Sequence, residues 1–279
     1  MAPLRPLRLK SRSVIIWLLC WGVLSQAGIL PPLKAGAAPK ALLEDLKYRI
    51  DFWILDDAAR GRLTLKSLGS GRYQAELSGE AQGILGLLSG GRRDSYQTEM
   101  IYDHGRLRPV VYREESRRRG KHYLKEYRFD YSKKRLELWQ LKERQGSLVL
   151  KWHTDLKDQV YDPLSAFYNS RLGLLGPIKD GETYQIAGIP YPAPETIEVS
   201  LGKQTQEGRQ VMVALVNAAF EDKKGLVFIL FNGEGAPVQA WTRVLGFGKI
   251  VGQLLPEGKS MKAGLPGILP ESKVSAGGD

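Results

Sequence analysis

From Leu46 onward apolar side chains fall at every second position. Leu46, Tyr48, Ile50, Phe52 and Ile54 alternate with Lys47, Arg49, Asp51 and Trp53, which places one apolar row on one face of a strand. Gly61 and the Gly69-Ser70-Gly71 turn then bracket RLTLKSL, and RYQAELSG follows, so residues 46 to 78 predict three antiparallel strands joined by short turns. Further strands are expected at 94–102, 108–116, 121–131, 134–142 and 146–154, separated by Asp103-His104-Gly105, Gly120, Ser132-Lys133 and Gln145-Gly146. They resume near 182–189, 195–202, 209–217, 225–231, 237–245 and 247–254. Tyrosine, valine, tryptophan and leucine populate them, as half-buried pleated surfaces prefer.

One helix interrupts this series. Asp162 supplies an N-cap and Pro163 the first helical position, and Leu164, Phe167, Tyr168 and Leu172 recur at helical spacing before Gly173 and Gly176. The segment Gln82 to Gly91, QGILGLLSGG, is apolar but rich in glycine, and predicts a short turn of helix or a flexible apolar loop, with a mobile lid as one possible use. The tail from Pro256 lacks a sustained apolar period and is expected to be mobile. The expected organisation is therefore a single β-rich domain over 38–255 with a disordered tail over 256–279. The expected fold class is all-β and mainly antiparallel, a curved half-barrel or barrel-like sheet with one short helix.

The first forty residues depart from this pattern. Arg5, Arg8, Lys10 and Arg12 precede the uncharged run VIIWLLCWGVL from Val14 to Leu24, the order of a secretory signal. That run is too short to cross a bilayer comfortably, since a spanning helix needs roughly 20 residues. Small residues follow at Ser25-Gln26-Ala27 and at Ala35-Gly36-Ala37, and cleavage is expected after Ala37, leaving 1–37 as a signal peptide. The competing reading, an uncleaved anchor, is interrupted by Pro31 and Pro32. Export to the periplasm is expected in both cases. The lone cysteine, Cys20, lies inside the apolar run behind Leu19, which suits neither a lipid anchor nor, after cleavage, any disulfide or thiolate metal site.

Removal of residues 1–37, which carry five basic and no acidic residues, takes the net charge from +11 to +6. A mildly basic domain meets anionic head groups or acidic polymers, and the same charge also keeps a protein soluble. Hydrophobic and charged fractions of 43% and 25% are those of ordinary globular proteins.

The sequence holds little that points to catalysis, cofactor or metal. His104, His122 and His153 stand apart, with no H-x-H or H-E-x-x-H spacing, and read as surface or structural residues. No G-x-S-x-G elbow and no phosphate-loop motif is present. The adjacent acids Asp56-Asp57 and Glu114-Glu115 fall on opposite faces if extended, which places them badly for shared acid/base work. The basic run Arg117-Arg118-Arg119-Gly120-Lys121, at an expected hairpin tip, suits lipid phosphate, because arginine binds it with a planar fork. The plainer alternative is a solvated turn guarding an edge. Nucleic acid is not an expected partner of an exported protein. Trp53 and the other tryptophans and tyrosines either line an apolar cavity or fill a core.

Several stretches together resemble a bacterial envelope family known as domain of unknown function 3108. They are Leu46-Lys47-Tyr48 followed by Gly61, Leu107-Arg108-Pro109, the run Tyr161-Asp162-Pro163-Leu164-Ser165-Ala166-Phe167-Tyr168 with Arg171, and Ala236-Pro237-Val238, in the family's order across about residues 44–254. This chain has Asn169-Ser170 where the family prefers more apolar residues. The resemblance implies a periplasmic protein without an assigned activity. Its β-rich outline is similar to the half-barrels of periplasmic lipoprotein carriers, an analogy of fold that does not fix function.

Within the helix motif, Asp162 is expected to cap the first turn, and Arg171 to pair with an acid on the sheet as a structural clamp. The alternative is a head-group contact by Arg171. Trp53, Asp162, Tyr168 and Arg171 are thus the candidate ligand or motif residues, and Arg117, Arg118, Arg119 and Lys121 the candidate contacts to an anionic surface. The expected function is a non-enzymatic envelope protein that binds or carries a lipid-like or apolar ligand. The rival expectation is a structural protein that contacts another envelope component.

Overall fold

Alternating strands that each bury one face must share a core, and a long run of them satisfies its edges best by curling. A computed structural model of the chain describes residues 41–142, 146–156, 159–189, 195–216, 224–244 and 248–261. The strands are β1 (Ala41–Phe52), β2 (Leu55–Gly69), β3 (Arg72–Ala81), β4 (Arg93–Asp103), β5 (Arg106–Arg118), β6 (Lys121–Asp130), β7 (Arg135–Lys142) and β8 (Ser147–Asp155). After the two-residue β9 (Val160–Tyr161) come β10 (Thr183–Gly188), β11 (Glu195–Gln204), β12 (Arg209–Val216), β13 (Lys224–Phe231), β14 (Pro237–Val244) and β15 (Gly248–Met261). Helix α1 (Gly83–Ser89) joins β3 to β4, and α2 (Pro163–Arg171) follows β9.

The described strands form one open, curved sheet in the order β8-β7-β6-β5-β4-β3-β2-β1-β15-β14-β13-β12-β11-β10-β9. Every pairing in it is antiparallel except β9 with β10. The last strand closes on the first, so the two meanders β1–β8 and β10–β15 are joined through β1 and β15, and the ladder is broken at one place, between β8 and β9. Helix α2 emerges beside that break and packs on β3, β4, β5, β9 and β10.

The main core lies on the concave face. Leu46, Tyr48, Leu63, Leu65, Tyr96, Met100, Leu107, Tyr112, Tyr127, Phe129, Leu136 and Leu138 from the sheet enclose Leu164 and Tyr168 of α2. A second cluster gathers Tyr161, Ala166, Ile186, Ile197, Val199, Leu201 and Val211 around the other flank of the helix. A small third cluster, Ile50, Ala59 and Ile250, lies apart from both.

The structure settles one open expectation and differs from the sequence reading in two details. The apolar segment after β3 is a helix, one of the two expected alternatives, and Gly86 lets it lie close: a Cβ there would stand 2.8 Å from the Ala81 carbonyl oxygen. The boundary expected at Pro256 falls inside a strand, because β15 continues to Met261, pairing Lys259, Ser260 and Met261 with Leu46, Asp45 and Glu44. A register irregularity between Leu46 and Tyr48 accommodates the proline, which has no amide hydrogen for a ladder. The polar composition of this stretch hides that Met261 packs against the core. Strand β9 is too short to leave an alternating pattern. The expected signal peptide and residues 262–279 of the expected tail lie outside the described residues.

Candidate functional site

The concave face divides into a floor closed by α2 and two walls that run above it towards one end of the sheet. Asp162 is fully buried and caps α2, its Oδ1 accepting from the Leu164 amide at 2.9 Å and the Ser165 amide at 3.0 Å. Its other oxygen accepts from the Thr98 hydroxyl of β4 at 2.8 Å. Burial raises the pKa of this carboxyl, against the hydrogen bonds that favour its ionised form.

In the last turn of the helix, Asn169 bonds the backbone of β5 twice. Its Oδ1 accepts from Leu107 N at 2.9 Å and its Nδ2 donates to Leu107 O at 2.8 Å. Glu44 of β1 accepts from the Tyr168 hydroxyl at 2.8 Å and pairs with Arg171 at 2.7 Å, with side chains only 2% and 7% exposed respectively. The Arg171 Nε donates to Gly235 O in the β13–β14 turn at 2.6 Å, and the Tyr48 hydroxyl reaches Pro237 O at 2.8 Å. Burial first, and next the Glu44 carboxylate, raise the pKa of both Tyr48 and Tyr168, which keeps both as hydrogen-bond donors.

The acid on the sheet that pairs with Arg171 is Glu44 of β1. Tyr168 and Arg171 are brought together on Glu44, whereas Asp162 lies at the other end of α2, where it bonds the first helical amides and Thr98. Trp53 joins neither group. It occupies the tip of the β1–β2 hairpin at a φ of +54°, 70% exposed and outside the concave face. Alternation put it in a strand, but the chain already turns there. Glu44, Thr98 and Asn169 are the site residues the sequence expectation missed, and only Asn169 had left a signal, a polar residue on a helix face that favours apolar ones.

Above the floor, cross-strand rows define the walls. One row runs Ile50, Gly252, Ala240, Ile229 and Val211, and its neighbour runs Phe52, Ile250, Thr242, Val227 and Val213. Val213, Val227, Ile229 and Ala240 on this wall are only half-buried. The wall on β4–β7 is polar instead. Glu114, Lys125 and Gln140 form one row, with Lys125 3.2 Å from Glu114, and the adjoining Asp94 pairs with Arg92 at 2.7 Å. Glu115, on the other face, pairs with Arg117 and His122, which separates the two glutamates as expected. Asp56 and Asp57 do not alternate in this way. Asp57 has a φ of +52° beside a register shift, and both side chains are exposed.

The basic run caps the β5–β6 hairpin, with Arg119 and Gly120 at its turn and Arg118 facing Lys121. His104 is exposed beside Asp103. No group of histidine, cysteine, aspartate and glutamate suited to hold a metal is found among the described residues. None of the helices described is long and apolar enough to cross a membrane.

No curated protein matches the sequence. Among solved structures the chain is similar to a beta-barrel-like protein of domain of unknown function DUF1849 from Brucella abortus, at 12% identity and a TM-score of 0.46, over 77% of this chain and 96% of that one. The stretches read as family motifs converge in space: Leu107 is gripped by Asn169, Tyr48 reaches Pro237 and lies opposite Gly61, and Asp162 to Arg171 form the helix between them. The family described as protein of unknown function DUF3108 matches residues 47–222, and the chain belongs to that family.

Proposed function

We propose that this is an exported, non-enzymatic protein of the cell envelope that shelters an apolar, lipid-like group on the wall formed by β12–β15. The observation that carries this reading is the half-buried state of Val213, Val227, Ile229 and Ala240 on a concave face whose floor α2 otherwise fills. Valine, isoleucine and alanine, with Thr242 as the polar residue of the two rows, favour contact with hydrocarbon, because apolar surface removed from water contributes about 25 cal/mol per Å². The opposite wall, with Glu114, Lys125 and Gln140, suits the polar end of an amphiphile, as sites with a mostly apolar lining and a few placed polar groups do. Residues 1–37 supply the export signal.

The test is mass spectrometry of organic extracts of the protein recovered from the periplasm without detergent, beside an unrelated exported control. A specifically enriched amphiphile at near-stoichiometric amount is expected, and Ala240→Phe, which fills the wall, is expected to remove most of it. An extract no different from the control would refute the carrier reading and direct attention to a protein partner in the envelope.

A further inference from the structure

At the end of the sheet where β3 gives way to β4, three features are joined. Helix α1 buries none of its residues, and Ile84, Leu87 and Leu88 stand 66%, 76% and 78% exposed, spaced as one helical face. The β5–β6 tip is fastened to the end of this helix. The Arg119 amide donates to Gly90 O, its guanidinium lies 3.5 Å from Leu87 O, and its stem lies where a Cβ on Gly90 would stand 2.5 Å from Arg119 Cγ. On the far side of the tip, an open hollow of about 640 Å³ lies over Leu124, Leu141 and Leu148, bordered by Gly120, His122 and Gly146. The cationic tip thus stands between two apolar surfaces.

Charge selects the partner. Arg118, Arg119 and Lys121 have no carboxylate partner among the described residues, whereas Arg93 and Arg117 nearby are paired with Glu80 and Glu115. Exposed leucines and isoleucine beside unpaired cations match the two layers of an anionic bilayer surface, with hydrocarbon for the helix face and phosphate for the guanidinium and ammonium groups. The Trp53–Ile54 tip projects at the same end, since α1 starts where Gln82 N bonds Ala58 O of the strand that begins at that tip. We infer that α1 and the Arg118–Lys121 tip form one docking surface for an anionic lipid bilayer. This surface is separate from the β12–β15 wall, so it stands or falls independently of any sheltered ligand.

The experiment is co-sedimentation of the protein, expressed with its own export segment and recovered from the soluble periplasmic fraction, with phosphatidylcholine vesicles and with vesicles that also contain phosphatidylglycerol. Binding about tenfold tighter to the anionic vesicles, and weakened by salt, is expected. Ile84→Ser/Leu87→Ser/Leu88→Ser is expected to weaken binding to both vesicle types about tenfold. Arg118→Gln/Lys121→Gln is expected to remove the anionic preference alone. These side chains are exposed or at a turn, so circular dichroism should be unchanged. Lys133→Gln/Lys134→Gln, at the β6–β7 turn at the opposite end, should bind as the unaltered protein does. No binding, equal binding to both vesicles, or an equal loss from the Lys133/Lys134 variant would overturn the inference.

Discussion

Glu44 receives a hydroxyl and a guanidinium at once in a place nearly closed to water, and it shows how individual residues set this fold. A buried pair of this kind contributes little net stability against a well-packed apolar substitute, yet losing one partner leaves a bare charge inside. Arg171→Met is expected to lower unfolding stability by about 3–5 kcal/mol in urea titration, and adding Glu44→Gln should recover part of that loss. If Arg171 instead served a ligand, the second change would recover nothing. Asn169 acts in the same way on neutral groups, since it bonds both backbone groups of the fully buried Leu107.

Among the elements, α2 carries most of the organisation despite its length. An isolated helix of nine residues is not stable in water, so its packing and its cap must hold it. Asp162 does so by joining the helix start to β4 through Thr98. Asp162→Ala is expected to cost about 2 kcal/mol, from the lost cap and the orphaned Thr98 bond, measured by thermal or urea unfolding. Asp162→Asn, which keeps the cap-accepting oxygen, should cost less. Helix α1 shows the opposite solution. It has no buried residue and is held by backbone bonds at both ends, which leaves its apolar face free for another surface.

For the whole molecule, the closure of β1 on β15 ties the first described strand to the last, so pairing over most of the chain length must form before the sheet is complete. Ion pairs along the outer face respond to acid. The Arg62 hydrogen bond first, and then its charge, hold Asp45 below the usual carboxylate range. Burial opposes ionisation of Glu126, but the guanidinium groups of Arg113 and Arg128 outweigh it and lower its pKa as well. Depressed folded-state values mean stability that is present above the unfolded carboxylate pKa of about 4 and lost as pH falls through the folded values. Asp162 has the opposite sign, because its raised pKa favours folding at lower pH and gives that up as pH rises. Stability should therefore drop below about pH 4, and Asp45→Asn should flatten the drop, as read from urea midpoints across an acid series.

Local chemistry reaches only a few residues along the chain, and what it governs was legible in the sequence. The period-two strands, the Asp162-Pro163 helix start, the His104-Gly105 and Arg119-Gly120 turns and the exposed basic tip all depend on near neighbours. The irregular last strand was not legible, because Pro256 and polar neighbours mask a pairing that only β1 completes. Nor was the placement of Trp53, which alternation assigns to a strand and the turn carries out to solvent. Glu44 and Arg171 lie 127 residues apart, and Thr98 and Asp162 lie 64 apart. No pattern along the chain joins such residues. Their meeting was decided by the curl of the sheet around α2, since burial of both apolar faces against one another is what brings those polar atoms within reach.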